Sequence, residues 1–286
     1  GANLRGRLRM AGAMAGFAVE EVLLKGATEI MPVGEVLMLF GACGMALFAL
    51  WCRRRGEPPL VRAMAAPLIL LRAVLEVAGR AGHTLALATA GLALTSVILQ
   101  TTPLVVVAGA ALFFGERVGW RRIAAILVGF AGVLLVLRPG AEGLTAGALF
   151  AVLGMLGFAG RDLATRAAPA TLSTAQLGVL GFGALVIAGA LLLALSGGAV
   201  WPTPRAAGAV ALATLVGVAA YAMLTAAMRT GEVSAVTPFR YTRLVFGVAL
   251  GAAVFGEGLA PLTLLGAALI VGSGLYSLFR TQVRPV

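Results

Sequence analysis

Runs of roughly 20 apolar residues, the length that crosses a bilayer as a helix, follow one another along the whole chain, separated by short charged or glycine- and proline-bearing segments. They occupy 9–27, 34–52, 66–89, 92–114, 120–138, 144–167, 172–196, 205–229, 233–255 and 261–280. Ten such helices consume most of the 286 residues and leave only short loops. With 12% charged residues, against about 25% in a soluble domain, and a mean hydropathy of +1.02, the chain cannot fold as a water-soluble globule. Lipid satisfies no backbone N–H, so a spanning segment must be a helix or a strand of a closed barrel. Barrel strands alternate polar and apolar residues, and the stretch 36–52 does not. The sequence therefore predicts an all-α membrane protein, with 39 glycines available for close helix contacts.

Charge orients it. A net charge of +11 would suggest nucleic acid in a soluble protein, but here the excess sits in short loops. If the amino terminus is cytoplasmic, the inner segments hold Arg5, Arg7, Arg9, Arg53, Arg54, Arg55, Arg62, Arg117, Arg121, Arg122, Arg166, Arg229, Arg280 and Arg284, and the outer loops only Arg138 and Arg205. Basic loops stay inside, so both termini are expected in the cytoplasm and the number of spans is expected to be even. Cys43 and Cys52 share one predicted helix, nine residues apart, too far for a disulfide. The first apolar run lacks a small-residue cleavage site and reads as a span.

One spacing recurs. Met14, Gly16, Phe17 and Ala18 reappear 141 residues later as Met155, Gly157, Phe158 and Ala159, and Glu21 and Lys25 then align with Asp162 and Arg166. The same offset carries Phe114-Gly115-Glu116 onto Phe255-Gly256-Glu257. Agreement at both ends of the unit marks a duplication, with halves 1–140 and 141–286. Five helices is an odd number, so the second copy enters the membrane inverted, the build of many secondary transporters.

This duplicated unit, with its apolar fourth helix ending in Phe114-Gly115-Glu116 and its fifth helix around Gly129 and Gly132, resembles the EamA-type exporters of the drug/metabolite transporter superfamily. The second copy, with Phe255-Gly256-Glu257, Gly266, Gly272 and Gly274, resembles the same pattern. Within that superfamily it looks similar to the bacterial aromatic amino-acid exporters of the YddG type. The resemblance implies ten transmembrane helices in two inverted five-helix repeats around a central cavity, placed in the bacterial inner membrane. It also implies export of amino acids or related small metabolites by alternating access, without enzymatic chemistry or a cofactor, by a chain able to work as a monomer. The sequence departs from symmetry at Pro103, whose counterpart at the shared offset is Leu244.

Charges inside the membrane are expensive and must face protein or water. In the third run Arg72, Glu76, Arg80 and His83, spaced four, four and three apart, fall on one helix face. Arg72 lies near the cytoplasmic end, where it can snorkel or tie helices together, whereas Glu76, Arg80 and His83 are candidate cavity residues. The first run offers Glu20, and the sixth its repeat partner Arg161, of opposite charge, an expected interdomain pair or packing bridge. Glu21 with Lys25, and Asp162 with Arg166, are pairs one turn apart, expected as gate or rim salt bridges. The ninth run carries Pro238, Arg240, Tyr241 and Arg243, where proline interrupts the helix and Arg240 can clamp a carboxylate. Phe17, Phe158, Tyr221 and Tyr241 are expected as apolar walls and Gln100 as a polar cavity residue. These charged runs are expected to face the cavity, and the charge-free second, fifth, seventh and tenth to lie outside.

The competing reading is a multidrug or quaternary-ammonium exporter, which needs an unpaired intramembrane acid such as Glu20. An ATP-driven pump or an intramembrane enzyme is not supported: there is no GxxxxGK loop, no HExxH, no GxSxG, and a single histidine. No metal site is expected.

Overall fold

The computed structural model describes residues 2–115 and 145–230, together with scattered positions within 120–135 and 239–272. Glu116, Glu257, Pro238, Tyr241 and Leu244 lie outside the described residues. Seven α-helices run through the described part: α1 Ala2–Thr28, α2 Val33–Arg54, α3 Pro67–Leu99, α4 Thr102–Phe114, α5 Ala146–Ala167, α6 Thr174–Ser196 and α7 Pro204–Met228, with a 3₁₀ turn at Arg62–Ala65. Among the described residues five stretches are long and apolar enough to cross a membrane: α2, Val97–Phe114, α5, α6 and α7.

The helix starts follow from local chemistry. Proline occupies the first turns of α3, α4 and α7, where its missing N–H is harmless. Thr145 and Thr203 cap α5 and α7, and Ser173 with Gln176 forms a capping box on α6. Glycines in the left-handed region end two helices, Gly115 with φ 66° and Gly197 with φ 67°.

The third and fourth predicted runs meet where expected, and the fourth is divided once more. The backbone leaves helical geometry at Gly91 (φ 79°, ψ 168°), a conformation open to glycine alone. A second interruption falls inside the fourth run, at Gln100–Thr101. Pro103 has no N–H for the Leu99 carbonyl, and the Thr102 hydroxyl donates to that carbonyl instead at 2.6 Å, as Thr101 does to Ile98 at 2.7 Å. Side-chain hydroxyls thus repair a break that lipid could not.

The packing repeats the sequence duplication. At an offset of 141 residues α1, α2 and α3 correspond to α5, α6 and α7. The helices pair α1 with α7, α2 with α6 and α3 with α5, an arrangement unchanged when the two triplets are exchanged. Equivalent glycines make equivalent crossings. A Cβ at Gly16 would stand 2.8 Å from the Ala220 Cβ, and one at Gly157 would meet the backbone of Gly79; both residues of one crossing map onto the other at the same offset.

The expectation that the second and seventh runs lie outside is corrected. They are α2 and α6, which interlock through glycine, with the Phe182 ring seated on Gly44 and the Phe48 ring on Gly178. Phe182 lies 5.2 Å from Phe40, 5.5 Å from Phe48 and 5.5 Å from Tyr221 between ring centres, the aromatic centre of the largest apolar cluster. Small residues invite this because lipid offers no hydrophobic drive to join helices, leaving close packing to do so. Only the outer faces, such as Leu50, Ile187, Leu191 and Leu195, are exposed.

Two staples hold the loops. The Gln176 side-chain amide in the first turn of α6 donates to the Pro58 carbonyl at 2.9 Å, and Glu35 in the first turn of α2 accepts from the Val200 N–H at 2.9 Å. These positions also stand 141 apart. Arg229 binds the carbonyls of Leu172 and Pro169, and Arg9 the hydroxyl of Thr230. The start of α1, the α2–α3 loop, the α5–α6 loop and the end of α7 therefore gather at one end of the bundle.

Candidate functional site

The charged face of α3 turns inward as its spacing predicts: Arg72, Glu76, Arg80 and His83 are all buried, opposite Glu20 and Glu21 of α1, Arg161 and Asp162 of α5, and Arg240 and Arg243. Unpaired, each such charge would be prohibitive. They are resolved into a network around Glu76 and, further along α3, two smaller groups.

The network nearer the start of α3 centres on Glu76. Its carboxylate accepts from Arg161 Nη1 at 3.1 and 3.2 Å and from the Tyr221 hydroxyl at 2.9 Å. Arg72 donates to the Tyr221 hydroxyl at 2.6 Å and to Thr165 Oγ1 at 2.9 Å, and lies 3.8 Å from Glu76. Asp162 faces Arg161 Nε at 2.8 Å and accepts from Arg240. Further along α3, Arg80 donates to Glu20 at 2.6 Å. Glu21 holds Arg243 and has His83 Nε2 at 3.0 Å.

A cleft opens between these groups. Its polar wall is Arg80, Arg161, Arg240, Arg243 and Gln100; its apolar wall includes Met14, Phe17, Phe158, Pro103 and Leu224. Phe17 and Phe158, equivalent in the duplication, each carry a guanidinium: Arg243 lies 5.5 Å from the Phe17 ring centre, Arg161 5.2 Å and Arg80 5.8 Å from that of Phe158. Such cation–π placement holds arginines along an apolar wall. The Gln100–Thr101 break borders the same space, which is where irregular backbone is tolerated in a membrane.

Of the residues singled out from sequence, Phe17, Arg80, Gln100, Phe158, Arg161 and Arg240 line the cleft. Glu20, Glu76, His83 and Tyr221 are buried but are not among its lining residues. Four expectations change. Glu20 does not meet Arg161: it takes Arg80, and its second oxygen fills a notch at Gly217, lying 2.7 Å from where a Cβ would stand. Gly217 is the repeat counterpart of Glu76, so the half that lacks an acid on its third helix makes room for one from α1. Glu21 and Asp162 are not rim residues. They are 1% and 2% exposed and hold inward-facing arginines, while Lys25 is half-buried and Arg166 exposed in the last turns of α1 and α5. Tyr221 is no apolar wall, since its hydroxyl joins Arg72 to Glu76. Arg72, 0% exposed, does not snorkel.

The sequence reading missed Thr165 as a partner and left Arg243 out of the site. Arg243 was visible as a second arginine one turn from Arg240, and Tyr221 as the repeat counterpart of Arg80. Among the described residues no cluster of His, Cys, Asp and Glu could hold a metal.

A chain that crosses the membrane repeatedly and lines an internal cleft with residues from both copies of a duplicated unit has the build of a solute transporter. It belongs to the EamA-like transporter family, whose model matches residues 4–138 and again 145–279. The chain is a multi-pass membrane transporter of the drug/metabolite superfamily and not an enzyme. It is 32% identical to a riboflavin transporter of Rhizobium johnstonii over 75% of this chain and 70% of that protein. It is 28% identical to the pseudopaline exporter CntI of Pseudomonas aeruginosa over 89% of each, and 27% identical to an S-adenosylmethionine uptake transporter of Rickettsia bellii over 73% and 72%. A solved crystal structure shares the fold, with a TM-score of 0.66 over 98% of this chain and 97% of that one at 22% identity. These relatives carry three different small metabolites, so the family defines the class of solute and not the solute.

Proposed function

We propose that the chain is a secondary transporter of amino acids and related carboxylate-bearing metabolites, working by alternating access and exporting them when they accumulate inside. The observation that carries this reading is the cleft wall: Arg80 and Arg243 each keep a buried Nε–H without a partner among the described residues, beside Phe17 and Phe158. Unmet cationic donors next to apolar rings suit a carboxylate on an apolar or aromatic body. Among the described residues four buried arginines, Arg72, Arg80, Arg161 and Arg240, and the partly buried Arg243 face four carboxylates, so one further negative charge would balance this described set. The multidrug reading asks for an unpaired acid, and Glu20 is engaged by Arg80.

The proposed architecture is ten helices in two inverted repeats, 1–140 and 141–286, in the bacterial inner membrane with both termini cytoplasmic and the monomer as working unit. Exchange-symmetric helix pairing and the gathering of Arg9, Arg62 and Arg229 at one end support it. A tag on either terminus should resist protease added outside intact cells; cleavage there would reverse the orientation.

Proteoliposomes offered labelled L-phenylalanine, riboflavin and S-adenosylmethionine test the substrate class. An amino acid should move and its methyl ester should not. Arg80→Ala or Arg243→Ala should lower uptake at subsaturating substrate by roughly tenfold to a hundredfold, the loss expected for a charged hydrogen bond. Equal transport of acid and ester would remove the carboxylate from the mechanism.

A further inference from the structure

We propose that His83 and Glu21 form a proton-binding site that couples transport to the proton gradient, with Arg243 as its link to the cleft. His83 is the single histidine of the chain, 1% exposed, about half-way along α3. Neither ring nitrogen makes an aligned hydrogen bond to a described residue, although Nε2 stands 3.0 Å from Glu21 Oε1. Buried polar atoms are rarely left in this state, and a histidine one small rotation from a carboxylate is suited to taking up a proton.

The carboxylate is equally unfinished. Glu21 Oε1 serves both His83 and Arg243, while Oε2 has no partner among the described residues. The groups around the pair come from every packed element. Glu20 lies beside Glu21 on α1, Arg80 precedes His83 by one turn on α3, Gly154 and the Phe158 ring face His83 from α5, and Arg243 closes the side toward the cleft. With His83 neutral, Arg243 is the only full positive charge on Glu21 Oε1 among the described residues and is drawn to it. A proton arriving on the free imidazole nitrogen turns the ring into a second cation on the same oxygen. Glu21 is then neutralised by His83, and Arg243, which lines the cleft, is released toward an incoming anion. Proton and carboxylate bind with positive coupling, so each raises affinity for the other.

The last step rests on the substrate reading proposed above; the proton site itself does not. Because there is one histidine, ¹⁵N-histidine NMR of a protein purified on a histidine-free tag in nanodiscs reports His83 alone. The imidazole should take up a proton within the pH range over which the protein stays folded. Glu21→Gln should lower its midpoint by about one pH unit or more, and Arg243→Gln should raise it. No titration in that range, or an unchanged midpoint in Glu21→Gln, overturns the site. In a second arm, proteoliposomes loaded with a pH dye are given L-phenylalanine, riboflavin or S-adenosylmethionine. The proposal expects protons to move with the substrate, and pH-gradient stimulation to vanish in His83→Gln. Substrate moving without protons overturns the coupling. If wild-type protein moves none of the three, the substrate reading fails while the NMR result still decides the site.

Discussion

Glu76→Ala should destabilise the folded chain by about 3–5 kcal/mol, the cost of removing one partner of a buried ion pair and stranding the other. Bulk solvent does not reach this carboxylate. Glu76 is 0% exposed and is the acceptor common to Arg161 and Tyr221, with Arg72 at 3.8 Å. Its loss leaves Arg72, also 0% exposed, with only hydroxyl partners among the described residues, and leaves Arg161 with Asp162, which already holds Arg240. Helices α3, α5 and α7 meet on that one carboxylate, so their packing should loosen together. Thermal unfolding in detergent should show a large drop in midpoint for Glu76→Ala. Glu76→Gln, which keeps the volume and an acceptor oxygen for Tyr221, should fall between. A midpoint within about 0.5 kcal/mol of the parent, the range of an ordinary surface change, would mean that the network forms without stabilising the fold.

How much of this was legible in the sequence differs by level. Helix pairing lay in the 141-residue offset, because a duplicated unit must reproduce its own contacts: Gly16 against Ala220 and Gly157 against Gly79 are one crossing made twice. The inward face of α3 was legible from the spacing of Arg72, Glu76, Arg80 and His83, since helical period alone puts them together. Partner choice was not. Lys25 lies one turn from Glu21, but such a pair is worth only a few tenths of a kcal/mol, less than the penalty of leaving Arg243 buried without a counter-charge. Long-range neutralisation therefore overrides the local pattern, and Asp162 turns to Arg240 by the same reasoning. The Gln100–Thr101 break was half legible: Pro103 announced it, but the repair by Thr101 and Thr102 depends on hydroxyl directions that spacing does not encode.

The duplication also makes a paired prediction about packing. Gly157→Ala should be among the most disruptive single-methyl additions in the chain. A Cβ there would stand 2.8 Å from the Leu75 carbonyl oxygen and nearer still to the backbone of Gly79, and neither is a flexible side chain that can move aside. The helix pair α3–α5 would have to separate, at a cost in the upper part of the roughly 1–3 kcal/mol typical of overpacking. The same pair carries Glu76 and Arg161, so separation would lengthen the central ion pair as well. Gly16→Ala adds the same methyl at the equivalent crossing, but its nearest neighbour is the Ala220 side chain at 2.8 Å, so the effect should be real and smaller. Gly26→Ala and Gly208→Ala have nothing within 4 Å and, as alanine favours helix over glycine, should be neutral or slightly stabilising. Unfolding midpoints of the four variants should therefore rank Gly157→Ala lowest, Gly16→Ala next, and the two controls at or above the parent. If Gly157→Ala matched the controls, close backbone contact would not be what joins the two halves, and the exchange-symmetric pairing would need another source of cohesion.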